Sequence, residues 1–240
     1  MVKSPRGLAL SRQPDYATVM RADLAHIDSW IFDLDNTLYP SSANLFALID
    51  ERMGAFIMKL LDCNATDARR IQKSYFIDHG TTLAGLMRHH GTDPTEFLDY
   101  VHDIALDRLA VDSQLVAHVE SLPGRKLVFT NADAAYAARV LDRLGLANSF
   151  DVIHDIHATA YRPKPDPVGY EQLRDIHAID LSRAVFFEDM ARNLKPAKAL
   201  GMATVWIANG SEAGHVDAHA DHIDYTTNHL TPFLADILGA

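Results

Sequence analysis

Cysteine is almost absent: Cys63 stands alone among 240 residues. A disulfide within the chain is therefore excluded, and the usage suits a reducing, cytoplasmic setting. Positive charge is in deficit. Lys and Arg total 22 against 32 Asp and Glu, a net charge of −10, which argues against a surface for nucleic-acid polymers or anionic membranes. An anionic small ligand would need a local cation and a few placed basic groups to overcome that field. Long apolar runs are missing too. None approaches the roughly 20 residues that span a bilayer, and the first 29 residues contain no run of signal-peptide length. Internal repeats and low-complexity tracts are absent. What remains is 48% hydrophobic and 22% charged, the balance of a globular protein long enough for one large domain or a domain plus an insertion.

The most informative stretch runs from Trp30 to Pro40, Trp-Ile-Phe-Asp-Leu-Asp-Asn-Thr-Leu-Tyr-Pro. An apolar run of strand character ends in Asp33 and Asp35. Strand alternation would point both carboxylates the same way, and two like charges so close need a cation or a proton. On its own the pattern reads equally well as a solvated turn. Residues 1–28 read as an N-terminal arm leading into this strand.

Residues 41–110 read as helices only. Leu45, Leu48, Ile49, Met53, Phe56, Ile57, Leu60 and Leu61 recur at helical spacing. A second helix around residues 68–75 is expected to be capped by Thr66 or Asp67, and a third stops at Gly91. Asp93-Pro94-Thr95-Glu96 opens a fourth with an N-cap, a proline and an acidic N3 residue. From residue 111 to 240 the texture is strand–helix alternation. Strands are expected at 126–130, 150–154, 184–187, 203–207 and 222–225, with helices capped by Asp112 and opened at Asp166-Pro167 and Thr231-Pro232. Short apolar strands alternating with helices imply an α/β fold with a parallel sheet covered on both faces. The core then comprises residues 29–40 and 111–240. The helical block 41–110 leaves from the edge where such sheets bind ligands, and would sit over the ligand as a cap.

Three strands end in chemically competent groups: Asp33 and Asp35, Thr130-Asn131, and Glu188-Asp189. Lys164 lies between the last two, in the proline-stiffened run Arg162-Pro163-Lys164-Pro165-Asp166-Pro167. Singly, these read as helix caps or a surface lysine. Those readings do not explain why all fall at one edge of one sheet. Together they make a phosphoryl-transfer site. Asp33 and Asp189, with a carbonyl near Asp35 and with Glu188 alongside, offer the hard oxygens that Mg²⁺ prefers. Asp33 is placed to attack phosphorus. Asp35 is placed to protonate the leaving oxygen and then to activate water. Lys164, the Thr130 hydroxyl and the Asn131 amide would hold the phosphoryl oxygens.

Asp33-Leu34-Asp35-Asn36-Thr37, Phe129-Thr130-Asn131, Lys164-Pro165 and Phe187-Glu188-Asp189 resemble the four ordered motifs of the haloacid dehalogenase-like (HAD) superfamily. The match spans the chain from about residue 29. It implies a Rossmann-like core, an inserted α-helical cap and Mg²⁺ dependence, and the acid at Asp35 separates phosphotransferases from the founding dehalogenases. A narrower similarity is to pyrimidine 5′-nucleotidases. It rests on the trailing Leu38-Tyr39-Pro40, on the segment Tyr75–Leu86 and on Phe129-Thr130-Asn131-Ala132. Members often carry His where this chain has Tyr136, a departure that bears on substrate specificity.

The expectation is thus a Mg²⁺-dependent phosphatase acting on a nucleoside 5′-monophosphate, pyrimidine first, through an aspartyl-phosphate. The alternatives are a phosphatase of a sugar phosphate or phosphoglycolate, a phosphomutase, or a phosphate-binding regulatory protein on an inactive scaffold. Tyr39 at the cap hinge, and Tyr75, His79 and Thr81 on the cap, are candidate substrate contacts beside a core-packing role. His215, His219 and His222 approach zinc-ligand spacing but fall in a polar loop that reads as exposed. No membrane or nucleic-acid partner is expected, and the oligomeric state is left as monomer or homodimer.

Overall fold

The computed structural model describes residues 16–211 and 213–240. Six parallel strands form one sheet in the order β3-β2-β1-β4-β5-β6: β1 Ser29–Phe32, β2 Arg125–Phe129, β3 Val152–His154, β4 Ala184–Glu188, β5 Ala203–Ile207 and β6 Tyr225–Thr227. Alternation along the strands divides the apolar residues between two faces. Trp30, Phe32, Val128, Val185 and Phe187 belong to one core cluster. Ile31, Leu127, Phe129 and Phe186 belong to the other. The first cluster is closed by α1 (Tyr16–Leu24), α6 (Ser113–Ser121), α7 (Ala134–Arg143) and α10 (Leu230–Leu238). The second is closed by α8 (Pro167–His177) and α9 (Ala191–Ala199). Register pairs Phe32 with Phe187, and their rings stack 4.6 Å apart at 6°, joining the two strands that carry the acids.

Between β1 and α6 lie α2 (Phe46–Leu61), α3 (Ala65–His79), α4 (Thr82–His90) and α5 (Pro94–His102). They share a core that includes Phe56, Leu86, Phe97 and Val101. Gly85 permits the closest approach here. A Cβ added to it would stand 2.3 Å from Cγ of Tyr75, so only glycine lets α4 lie against that ring. No helix among the described residues is long and apolar enough to cross a membrane.

Three sequence expectations need correction. Residues 1–15 lie outside the described residues, but the rest of the expected arm contains α1, which buries Met20 and Leu24. Its nine residues were too few to show a helical period. The cap of α3 is Asn64, whose side chain accepts from the Asp67 N–H at 3.0 Å, so the helix starts earlier than Thr66. The last strand begins at Tyr225 rather than His222, because the Asp224 carboxylate takes the Thr204 N–H at 3.0 Å and ends the preceding turn.

His154, the last residue of β3, is fully buried, and its Nε2 has no hydrogen-bond partner. Burial, then the neighbouring His177, lowers its pKa to about 4. An unfolded His takes its proton near 6.5, so below that pH the unfolded chain binds the proton that the fold refuses. Stability is therefore lost as pH falls from about 6.5 to about 4. Thermal melts of His154→Leu are expected to lose less Tm across that window than wild type, and equal slopes would contradict this.

Candidate active site

β1 ends at Phe32, so Asp33 and Asp35 both lie in the loop that follows it. Both acids thus lie just beyond the strand whose end the sequence placed between them. The Asp33 N–H still donates to the Phe187 carbonyl at 2.9 Å, which fixes the residue at the sheet edge. Asn36 then adopts φ 60°, a left-handed conformation that Asn tolerates, and the Asn36 carbonyl accepts from the Asn209 side chain. β1 is flanked by β2 on one side and β4 on the other, so this loop opens at the point where connections diverge and ligands bind in such sheets.

Lys164 is the centre of the charge arrangement. It is 2% exposed, and its Nζ donates to Asp33 Oδ1 at 2.7 Å, Glu188 Oε2 at 2.7 Å and the Phe129 carbonyl at 2.8 Å. These partners come from the ends of β1, β2 and β4. Desolvation works against the ammonium, but Asp33 and Glu188 more than offset it and raise the Lys164 pKa. Asn131 brackets the lysine's backbone. Its Oδ1 accepts from the Lys164 N–H at 2.8 Å and its Nδ2 donates to the Lys164 carbonyl at 3.3 Å. Thr130 is 1% exposed, and its Oγ1 accepts the Ala132 N–H at 3.0 Å, which leaves its own hydrogen for another acceptor.

Asp189 joins the two acids that meet the lysine. Asp33, Glu188 and Asp189 offer carboxylate oxygens within 4.8 Å of one another, and all three are buried. Burial, then the charge of Glu188, pushes Asp33 up to about 7. The same causes hold Asp189 well above the usual carboxylate range. This excess of hard, anionic oxygen suits a divalent cation such as Mg²⁺. Two of the acids are engaged at both oxygens: Glu188 by Lys164 and by the Met190 N–H at 3.1 Å, and Asp33 by Lys164 and by the Thr37 hydroxyl at 3.2 Å. The Asp35 side chain stands outside the cluster. Its Oδ1 accepts from Tyr39 Oη at 2.6 Å and from Tyr136 Oη at 2.9 Å.

A cavity of about 930 Å³ opens above these groups. Asp33, Asp35, Thr130, Asn131, Lys164, Glu188 and Asp189 line its floor, while Met53, Arg69, Gln72, Phe76, Leu98 and Thr81 come from the helical insertion. Two of the residues expected from the insertion are not in this lining. Tyr75 bonds His90 Nε2 at 2.8 Å and stacks on His89, and His79 Nε2 lies 2.9 Å from His89 Nε2. Positions 75 and 79 share the stripe of α3 that meets α4. Positions 69, 72, 73 and 76 form the stripe that faces the cavity. Thr81 lines the cavity, but its hydroxyl accepts the Ala84 N–H at 3.1 Å and caps α4. Tyr39 is a buried partner of Asp35. His222, expected in an exposed loop, is 3% exposed and bonds Asp221.

Several site residues went unnoticed in the sequence. Arg192, in the first turn of α9, lays its guanidinium 4.4 Å from the Phe76 ring centroid and donates to the Gly80 carbonyl at 3.2 Å, tying core to insertion. His102 and Asp133 stand behind Tyr136. The helical spacing of Arg69, Gln72 and Phe76 was a legible signal; the His102–Asp133 pair, 31 residues apart, left none.

A protein-family model for haloacid dehalogenase-like hydrolases matches residues 27–201. The chain belongs to that family. It is 28% identical over 194 residues to phosphate metabolism protein 8 of Saccharomyces cerevisiae, covering 73% of this chain and 60% of the yeast protein's length. It is 25% identical over 199 residues to a phosphoglycolate phosphatase of Neisseria meningitidis, covering 80% and 84% of the two chains. Among solved structures, a HAD phosphatase from Thermococcus onnurineus superposes with a TM-score of 0.59 at 19% identity, over 89% of this chain and 98% of that one. That likeness speaks for the fold.

Proposed function

We propose that this HAD-family hydrolase is a Mg²⁺-dependent phosphatase of nucleoside 5′-monophosphates, with pyrimidine nucleotides preferred. The observation that carries the reading is the convergence of Asp33, Asp35, Thr130, Lys164 and Asp189 on the floor of one large cavity. The cavity is larger than a two-carbon phosphoester needs. Its wall is apolar at Met53, Phe76 and Leu98, and polar where Gln72 Nε2 and Arg69 Nη1 meet the Asp50 carboxylate at 2.7 and 2.9 Å. A flat heterocycle with polar edges suits such a wall. The similarity to pyrimidine 5′-nucleotidases at Leu38-Tyr39-Pro40 and Tyr75–Leu86 points the same way. In this reading the insertion, residues 41–110, is the cap that selects the nucleoside.

The groups on the cavity floor support this chemistry. Asp33 attacks phosphorus in line with the leaving oxygen, forming an aspartyl-phosphate. The Lys164 ammonium, the Thr130 hydroxyl and the Asn131 N–H stabilise the phosphoryl oxygens. Asp35 gives its proton to the departing oxygen and then takes one from the water that hydrolyses the intermediate. Glu188 keeps Lys164 aimed at Asp33. Mg²⁺, held by Asp33, Asp189 and a carbonyl near Asp35, would neutralise charge on the phosphate.

The second reading is a phosphatase of phosphoglycolate or a sugar phosphate, or a phosphomutase, and the Neisseria relative's name favours the first of these. Phosphate release from UMP, CMP, AMP, phosphoglycolate and glucose 6-phosphate, with Mg²⁺ and with EDTA, separates the two. The expected result is fastest release from UMP and CMP, suppressed by EDTA. Turnover of phosphoglycolate with none of the nucleotides would overturn the nucleotide reading.

A further inference from the structure

Two phenols converge on one oxygen of Asp35. Tyr39 Oη and Tyr136 Oη lie 2.6 and 2.9 Å from Oδ1, and both side chains are buried, at 3% and 1% exposure. A carboxyl oxygen has two lone pairs, so these donors fill Oδ1. Oδ2 is left as the atom that carries and delivers the proton, and Asp35 lines the cavity.

Tyr136 is itself held from behind. The His102 ring stacks on it, with centroids 4.2 Å apart at 14°. Asp133 joins the two residues: Oδ2 meets His102 Nδ1 at 2.5 Å, and Oδ1 accepts the Tyr136 N–H at 2.8 Å. Arg139 then donates to the carbonyls of His102 and Ile104 at 3.1 and 2.8 Å. His102 is the last residue of α5, so the exit of the helical insertion is pinned to the helix that carries Tyr136.

We propose that Tyr136 and Tyr39 are positioning residues for the proton-donating acid, and that His102 with Asp133 fixes Tyr136 for that task. The proposal rests on the reading of Asp35 as proton donor. As the P–O bond breaks, its electron pair goes to the leaving oxygen, which takes the proton from Oδ2. Charge then builds on the Asp35 carboxylate, and the hydrogen bonds already made to Oδ1 stabilise it without reorganisation. Before the transfer, the same two donors keep the carbonyl character on Oδ1 and the proton on Oδ2.

The test exploits leaving groups that need protonation to different degrees. kcat/KM reports the steps up to the phosphoenzyme, and it is to be measured for 4-nitrophenyl, phenyl and benzyl phosphate. The full-length wild type, Asp35→Asn, Tyr136→Phe and Tyr39→Phe are compared. Tyr136→Phe is expected to lose roughly tenfold on benzyl phosphate, with the loss shrinking through phenyl to 4-nitrophenyl phosphate. Asp35→Asn is expected to show the same grading more steeply. An equal loss on all three esters in Tyr136→Phe would mark a structural role and overturn the proposal. No loss in either phenylalanine variant, beside a graded loss in Asp35→Asn, would overturn it while leaving Asp35 as the acid. An ungraded Asp35→Asn would overturn the acid reading itself. Tyr39→Phe carries the same test if Tyr136→Phe does not fold.

Discussion

Asp33→Asn is expected to lose on the order of 10⁴-fold or more in turnover, the scale seen when a covalent nucleophile is removed. Folding should be retained. The wild-type pocket buries a cluster of three acids, two of them against one ammonium, and burial with the Glu188 charge already pushes Asp33 up to about 7. Asn at this position has nearly the same shape, removes one of the crowded charges, and leaves Lys164 paired with Glu188 at 2.7 Å. The metal-free variant should therefore melt no lower than wild type. Added Mg²⁺ should raise the wild-type Tm more than the variant's, because binding to the native state stabilises it in proportion to affinity. Turnover within tenfold of wild type would remove Asp33 from the role of nucleophile.

Lys164→Met carries the second large effect, on activity and on stability together. The ammonium is the shared partner of two buried carboxylates from different strands. Deleting one member of such an arrangement costs about 3–5 kcal/mol, because the charges left behind remain desolvated. The sign of the pH dependence follows. Without Lys164, the Asp33 carboxyl, already pushed up to about 7 by burial and the Glu188 charge, loses the partner that lowers it and rises further above its unfolded value. The fold then binds protons more tightly than the unfolded chain, so stability is regained as pH falls through the raised value. Denaturant melts should show the gap between wild type and Lys164→Met narrowing at acidic pH, and Glu188→Gln added to the variant should recover part of the loss. A gap that is constant with pH would contradict the charge account. Arginine is not expected to rescue activity, since the site is 2% exposed and built around a compact ammonium.

Much of this architecture was legible because local chemistry and fold agree. Apolar runs of four or five residues ending in Asp, Thr and Glu marked the strands β1, β2 and β4 and the groups at their ends. Asp93, Asp112 and Asp166 cap the helices they were expected to cap, each with its side chain on a backbone N–H. Where the expectation failed, the cause was three-dimensional. Which stripe of α3 faces the cavity depends on the partner of the opposite stripe, and only the packing against α4 shows that Tyr75 and His79 turn away. The role of Asn131 toward Lys164 spans 33 residues, and the two phenols on Asp35 reach it from positions 4 and 101 residues away. Glu188 stands in the acidic cluster as the sequence suggested, but its second task, holding Lys164 and a backbone amide with its two oxygens, was not legible there. A lone titratable residue discloses its charge in the sequence; what that charge is used for depends on its neighbours.

The most direct test is covalent. Wild type is mixed with excess UMP or 4-nitrophenyl phosphate, quenched rapidly in acid, reduced with borohydride and analysed by peptide mass, with Asp33→Asn as the blank. The account predicts homoserine at position 33 in the wild type, the product of reducing an aspartyl-phosphate there. Turnover at full rate with Asp33 unmodified, or the phosphoryl group on any other residue, would contradict it.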